Sequence, residues 1–184
     1  SGTVLGTGTI RANLLDNQGG TVAPGASVGT LLFTGAYNQA TGGNFQAEVD
    51  PGSAADLLAV TGSAALLGNV EISPSSTGFG SFEQYRIIST QNPIPTIFET
   101  SSVTGAGLGS SFVWVGRVDD SGTFDPDDPA SGNNIDLIIA TAPSALPNLT
   151  PNQQAVANSL GGYVAAGGVY IEDSEILLVA QIVA

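Results

Sequence analysis

The sequence predicts an all-β fold in the form of a coiled β-solenoid, and one long alternating stretch is the main reason. In residues 56–72, DLLAVTGSAALLGNVEI, every even position from Leu58 to Ile72 is apolar or glycine, whereas the odd positions are mixed. A period of two is typical of a strand with one buried face. The stretch exceeds the roughly 3–10 residues of an ordinary strand. We therefore expect Gly62 and Gly68 to mark bends that keep the same face inward.

A degenerate internal repeat also favours a solenoid. The words Thr7-Gly8-Thr9, Thr34-Gly35-Ala36 and Thr61-Gly62-Ser63 resemble one another. Such recurrence is typical of a chain in which each coil buries its face on the next. Periodicity alone leaves a flat alternative open, in which residues 56–72 supply two or three strands of a β-sandwich.

The composition excludes several classes of function. The formal charge is −13, with no lysine and only Arg11, Arg86 and Arg117 as cations. Nucleic acid and anionic membranes are poor partners for such a chain, because phosphate binding needs clustered Lys or Arg. The chain has no cysteine, histidine or methionine, which excludes zinc, haem and thiol chemistry and any histidine base. No run of eighteen apolar residues predicts a transmembrane helix, and no signal peptide is visible, so we expect a mature chain or an excised fragment.

Residues 1–72 are predicted to form the regular coils. Ile10, Ala12 and Leu14 are expected on one face of residues 3–15; turns are expected at 16–20, 24–25, 38–43 and 51–52; a short strand is expected at 21–23; and Leu31, Phe33 and Tyr37, then Phe45, Ala47 and Val49, are expected to point inward. The acids Glu48 and Asp50 fall on the outward side of this last alternation. Glycine, proline and asparagine supply the backbone conformations that the turns need.

Residues 73–143 are predicted to form a less regular β region. After a Gly/Ser loop at 74–81, strands are expected at 85–88, 94–98, 111–118 and 135–141, with an acidic loop at 119–133. Ile138 on the second face of the last strand indicates burial on both sides.

Residues 144–184 are predicted to form a helical tail. Thr150, Pro151 and Gln153 make a capping box with proline at the first helical position. Ala155, Val156 and Leu160 give a short apolar stripe, and Gly161-Gly162 are expected to end the helix. A second helix is expected from Asp173 or Ser174 to Ile182, with Ile176, Leu177, Val179 and Ile182 as its apolar side.

Three stretches together carry a family resemblance. Residues 21–31, TVAPGASVGTL, contain proline-glycine followed by glycine-threonine-leucine, and residues 56–66, DLLAVTGSAAL, supply a following coil. Residues 134–160 run from a last strand into TPNQQAVANSL. In this order they resemble the C-terminal stem of a pertactin-like bacterial autotransporter passenger. The last stretch resembles the junction that precedes the linker and the translocator barrel.

This resemblance implies a right-handed parallel β-helix with an irregular C-terminal cap and a short helical tail. It implies type V secretion across the periplasm and outer membrane to the bacterial cell surface. It also implies a non-catalytic stem, or autochaperone, that supports the folding and secretion of upstream passenger coils. The partners would be those coils and a C-terminal barrel, and the rest of the passenger would contact any host or surface ligand. The chain departs from the family at its end, because no barrel sequence follows Ala184 and residues 161–170 are rich in glycine.

The physical case for a folding role rests on aromatic residues of the cap. Nucleating the first coil of a solenoid is costly, because that coil has no partner surface. Tyr85, Phe98, Phe112 and Trp114, together with Phe79 and Phe82, could bury more area per residue than the regular coils, at about 25 cal/mol per Å². The cap is therefore expected to fold first and act as a template.

The acidic loop is the candidate metal site. It carries Asp119, Asp120, Asp125, Asp127 and Asp128, and closely spaced carboxylates can bind Ca²⁺. The loop lacks the ligand register of an EF-hand and its terminal glutamate. A solvated surface loop has the same composition, so calcium is a possible ligand and the alternative function is a calcium-stabilised adhesin or glycan-binding solenoid.

Enzymatic activity is not expected. Some β-helices cleave acidic polysaccharides with carboxylates and a basic residue, but neither Arg86 nor Arg117 follows or precedes an evident acid pair. A serine nucleophile would lack its histidine, and 105–107 lacks the phosphate-loop pattern. A polysaccharide-cleaving β-helix is therefore the least favoured function.

The first predicted helix has two candidate roles. Pro151, Gln153, Val156 and Leu160 define the linker helix. Its small central residues suit the pore of a barrel in a longer protein, and its short apolar stripe suits packing against the last coil.

Overall fold

The computed structural model describes residues 2–52, 54–125, 128, 131–160, 167–172 and 174–183. These residues form sixteen strands and two α-helices. The strands are β1 Thr3–Gly6, β2 Gly8–Ile10, β3 Leu14–Asn17, β4 Thr21–Pro24, β5 Thr30–Phe33, β6 Ala36–Gln39, β7 Asn44–Asp50, β8 Ala54–Ala55, β9 Leu57–Val60, β10 Ala64–Leu66, β11 Asn69–Pro74, β12 Phe82–Ser89, β13 Thr100–Val103, β14 Ser111–Val118, β15 Asn134–Thr141 and β16 Val169–Ile171. The helices are α1 Pro151–Leu160 and α2 Ser174–Val183, and a 3-10 turn spans Pro143–Ala145.

The strands belong to three sheets that the chain visits in a fixed order. The first sheet runs β1-β4-β7-β11-β13, with β8 antiparallel to β7; the second runs β2-β5-β9-β12-β15-β14-β16; and the third runs β3-β6-β10. Each of the first three passes supplies one strand to the first, second and third sheet in turn. All neighbours from β1 to β11 are parallel except β7 and β8. The all-β prediction is confirmed, with parallel sheets and few helices.

The long alternating stretch forms three strands in three sheets. Residues 57–72 pass from β9 in the second sheet to β10 in the third and β11 in the first. The even side chains keep their inward face throughout, because Leu58, Ala64, Leu66 and Ile72 are all buried. The predicted bends lie at Thr61–Ser63 and at 67–68, between the strands. A flat arrangement of this stretch is therefore excluded.

The corner that leads into the first sheet brings backbone against backbone. The amides of Asn44 and Asn69 donate to the carbonyl oxygens of Gly20 and Gly43, each one pass earlier in the chain. A Cβ atom at Gly43 would lie 2.8 Å from Asn17 O, and one at Gly68 would lie 2.5 Å from Gly43 O. Glycine is needed here because a side chain has no space between successive passes.

The region after β11 changes from parallel to antiparallel pairing. β12 pairs with β15, and β15 pairs with β14, both antiparallel. Both faces of β14 are buried throughout the strand, and Ile138 is buried as predicted. The first core lies inside the three sheets, and the second core lies on the other face of β14 and β15. The second core contains Phe112, Trp114, Val118, Ile138, Ala140, Ala142, Ile176, Leu177, Val179 and Ala180.

Several predictions of local structure are wrong. Residues 94–98 form no strand; instead Ile94 and Phe98 are buried in irregular backbone, held by carbonyl contacts from Arg117. The three-residue bend 11–13 shifts the alternation, so Leu14 is 54% exposed and Ala12 is also exposed, whereas Leu15 packs against the first core.

Two further corrections concern polar sequence. The expected turn at 38–43 begins later, because Asn38 and Gln39 belong to β6 and Gln39 is fully buried. The short strands β13 and β16 were not predicted, since their three or four residues carry too little apolar pattern. In the described residues, no helix has the length and apolar character that crossing a bilayer requires.

Candidate functional site

The clearest candidate site is the end of the molecule formed by β1, β2 and β3. Each of these strands is the last member of its sheet. Within the described ranges, β1 pairs only with β4, β2 only with β5 and β3 only with β6. Three parallel edges therefore face the same way, and each carries backbone groups that can pair with a further strand.

The surface between these edges is partly apolar and concave. Val4, Ile10 and Leu15, one from each edge strand, are only partly buried against the first core. A concavity of about 530 Å³ lies beside them, lined by residues 2–4 and 15–22. Inward side chains of later passes are covered on both sides, whereas these three are covered on one. Another pass of chain would complete their burial.

A buried polar network lies one step inside this end. The Tyr37 hydroxyl donates to Gln39 Oε1 at 2.6 Å, and Gln39 Nε2 donates to the carbonyl oxygens of Leu67 at 2.7 Å and Asn69 at 3.0 Å. Asn17 Oδ1 accepts from the Gly20 amide at 2.8 Å. Gln39 thus links two successive passes, and burial raises the pKa of the Tyr37 phenol. Sequence alternation could not identify this network, because it assigned Gln39 to a turn.

A buried carboxylate joins the corner between the first and second sheets. Asp56 is 4% exposed. Its Oδ1 accepts from the Gly29 amide at 2.9 Å and its Oδ2 accepts from the Glu48 amide at 3.0 Å. Burial raises the pKa of Asp56 to about 6, and the Glu48 carboxylate adds to the shift, while the two amide bonds oppose it. Its position at the start of the alternating stretch gave no sign of this role.

The predicted cap aromatics are buried, but they belong to two different cores. Tyr85 and Phe98 lie in the first core, where Phe98 stacks on Phe45 with ring centroids 6.0 Å apart. Phe112 and Trp114 lie in the second core, and Trp114 meets Phe124 edge-on at 5.2 Å. Phe82 packs on the second core and Phe79 on the first. The structure therefore does not bring these aromatics together as one cluster.

The acidic loop is braced by its own hydrogen bonds. Asp119 Oδ1 accepts from the amides of Ser121 and Thr123 and from the Ser121 hydroxyl, which lowers the Asp119 pKa. Asp120 Oδ1 accepts from the side chain of Asn133 at 2.9 Å, which lowers the Asp120 pKa.

The remaining loop acids are spread along the chain. Asp125 Oδ1 accepts from the Asp128 amide at 3.3 Å, and Asp127 lies outside the described residues. In the part of the loop that the structure describes, no three acids form a group that could hold a metal ion. Calcium binding stays a prediction.

Both buried arginine side chains have carboxylate partners that are distant in the sequence. Arg86 Nε lies 2.9 Å from Asp136 Oδ1, and Arg117 Nε lies 2.6 Å from Glu172 Oε1. The expectation that neither arginine meets an acid considered sequence neighbours alone. Each pair bridges adjoining strands or segments, so these ion pairs organise the region after β11.

The linker helix begins as predicted but does not pack as predicted. The Thr150 amide donates to Gln153 Oε1 at 2.9 Å, which completes the capping box before Pro151. Val156 is 60% exposed, however, and Ala157 is the buried residue. The helix contacts the turn at 143–145 rather than a coil. Leu160 is the last residue of α1, and the predicted stop at 161–162 lies outside the described residues.

Comparisons of the chain with protein-family models, with curated proteins and with solved structures found no match.

Proposed function

We propose that this chain is the non-catalytic stem of a secreted autotransporter passenger, built as a right-handed parallel β-helix. In this proposal the three sheets are the faces of the β-helix, and each pass through them is one coil. The stem supports the folding and secretion of upstream passenger coils, at the bacterial cell surface after passage through the periplasm and outer membrane. Upstream coils and a C-terminal translocator barrel are its partners.

The single observation that carries the proposal is the end formed by β1, β2 and β3. Three parallel edges, one from each sheet, present unpaired backbone and half-covered apolar side chains at the same place. The same contact recurs twice between later passes, where it buries strongly apolar side chains such as Phe33 and Phe45. An upstream coil is the occupant that would continue this arrangement.

Stacking of coils explains the role as a folding template. A new coil ordered on an existing edge gains backbone pairing and apolar burial at once, whereas the first coil gains neither. The antiparallel strands β12, β14 and β15 bury side chains in two cores, which stabilises the opposite end. The stem could therefore remain folded while its open end receives further chain.

A duplicated coil tests this function directly. Residues 21–43 are copied and placed immediately before Thr3, so that Thr3 follows a glycine as Asn44 does in the parent chain. The register of Thr3 on Thr21, and of Thr21 on Asn44, then aligns the copied strands with β1, β2 and β3. We expect amide hydrogens of β1, β2 and β3 to exchange more slowly, and the urea dependence of unfolding to steepen as more surface is buried.

A matched control keeps the length but prevents burial. In the control, the copied Leu31 and Phe33 are both replaced by aspartate, while the parent residues are unchanged. Its β1–β3 amides should exchange as in the 184-residue chain. If the unmodified copy also leaves these amides unprotected, the edge does not accept a coil and the proposed stem function is wrong.

A further inference from the structure

Residues 167–183, called the strap below, cross the outer face of the second sheet. β16 pairs with β14 in parallel, and the Glu172 amide donates to Val115 O at 2.9 Å. The buried residues Ile176, Leu177, Val179 and Ala180 of α2 pack into the second core. The strap therefore covers the face of β14 and β15 that the first core leaves open.

One ion pair fixes the middle of the strap. Arg117 Nε and Nη2 donate to Glu172 Oε1 and Oε2 at 2.6 and 2.7 Å, and the Arg117 amide donates to Oε1 at 3.0 Å. Arg117 is 8% exposed, so this two-pronged contact lies in surroundings where charges interact strongly. Of the two ion pairs within the described residues, this is the one that reaches the strap.

The same arginine ties the strap to the irregular segment that closes the third sheet. Arg117 Nη1 donates to the carbonyl oxygens of Ile94 and Pro95, both at 3.1 Å. In that segment, Thr96 Oγ1 accepts from the Leu66 amide at the end of β10. Loss of the Glu172 carboxylate would leave Arg117 with carbonyl partners alone and with a buried, uncompensated charge.

The backbone at Glu172 works against the closed position. Its φ is +48°, in the left-handed region that a residue with a side chain adopts at a cost. Since this strained residue stands between β16 and α2, its side-chain contact with Arg117 stabilises a conformation that the local backbone disfavours.

From these contacts we propose that the strap is a closing device that opens as one unit when the charge on Glu172 is lost. Opening uncovers Phe112, Trp114 and Ile138 of the second core, while the first core and its three sheets stay folded. The two cores make this separation possible, because the strap contributes α2 to the second core and its helix has no part in the first. The proposal is independent of the stem function.

Hydrogen exchange of the full chain tests the device. In Glu172→Gln, amides of Ile176–Ala180 should exchange at least about a hundredfold faster, since breaking a buried pair is strongly destabilising. Amides of Phe45–Val49 should be unchanged. The emission of Trp114, the sole tryptophan, should shift to the red and become accessible to acrylamide, because the strap no longer covers it.

Two companion variants separate charge from strain. Glu172→Gly relieves the positive φ but removes the carboxylate, and it should also open the strap. Glu99→Gln removes a negative charge elsewhere and should leave strap exchange unchanged. The proposal is overturned if Glu172→Gln exchanges within about threefold of the parent in α2, if all strands exchange faster together, or if Glu172→Gly slows exchange in the strap.

Discussion

Substitution of Gly43 by alanine is the most direct perturbation of coil stacking. A Cβ atom at this position would lie 2.6 Å from Gln39 Cγ, 2.8 Å from Asn17 O and 3.0 Å from Asn17 Nδ2. One of these atoms belongs to the backbone of the preceding pass, and the others belong to the buried network around Gln39. The neighbouring passes must therefore separate, or the network must break.

The magnitude follows from two opposing effects. Overpacking of this kind costs about 1–3 kcal/mol, and three contacts this close place the cost near the upper end. Alanine recovers about 0.4–1 kcal/mol by restricting the unfolded chain. We expect a net loss of about 2 kcal/mol, which lowers the melting temperature by about 4–8 °C for a chain of this size.

Urea unfolding, followed by far-UV circular dichroism and by Trp114 fluorescence, measures this loss. Gly19→Ala is the matched control, because Gly19 has no positive φ and its nearest contact would be Gly42 O at 3.9 Å. The control should be neutral or slightly stabilising. Equal midpoints for Gly43→Ala and Gly19→Ala would refute the argument that successive passes touch through their backbones at this corner.

Three further predictions concern buried polar groups and calcium. Because the folded-state pKa of Asp56 is raised from 3.8 to about 6, its stabilising contribution is full below pH 3.8 and is lost as the pH rises through 6; relative to Asp56→Asn, the parent should lose about 3 kcal/mol over this interval in unfolding titrations. Gln39→Ala should cost about 3 kcal/mol in urea unfolding, since it strands the Tyr37 hydroxyl, and Tyr37→Phe added to it should cost little more. Calcium at about 1 mM should change the melting temperature by less than about 1 °C relative to chelator, because Asp119 and Asp120 are already hydrogen-bonded; a rise of several degrees would establish a site in the acidic loop.

The regular coils were predictable where a single physical signal dominates. In β7, β9, β10 and β11 the inward side chains are apolar and the outward ones are polar, so the period of two marks each buried residue. The helix α2 was predictable for the same reason, because Ile176, Leu177, Val179 and Ala180 form one buried face. Alternation failed at Leu14, where a bend of three residues exchanged the two faces.

The contacts that define the candidate sites were beyond the reach of local pattern. Gln39 and Asp56 read as turn or surface residues, yet each is buried because its partners come from a different pass of the chain. Arg117 meets Glu172 across fifty-five positions. The open end was predictable only as a consequence of the sheet order, since no residue in β1, β2 or β3 marks an unpaired edge by itself.

The connections between the first and second sheets differ in length far more than the other corners. Only Thr7 separates β1 from β2, whereas residues 25–29, 51–56 and 75–81 make the later connections. Doubling the length of a flexible loop costs only about 0.6 kcal/mol, so this side of the molecule can accept inserted sequence while the strands keep their register. The two-residue strand β8, which lies within the second of these long connections and pairs with β7, is already such an ornament. Variation in length, and any new surface that evolves or is engineered through it, should accumulate along this one ridge.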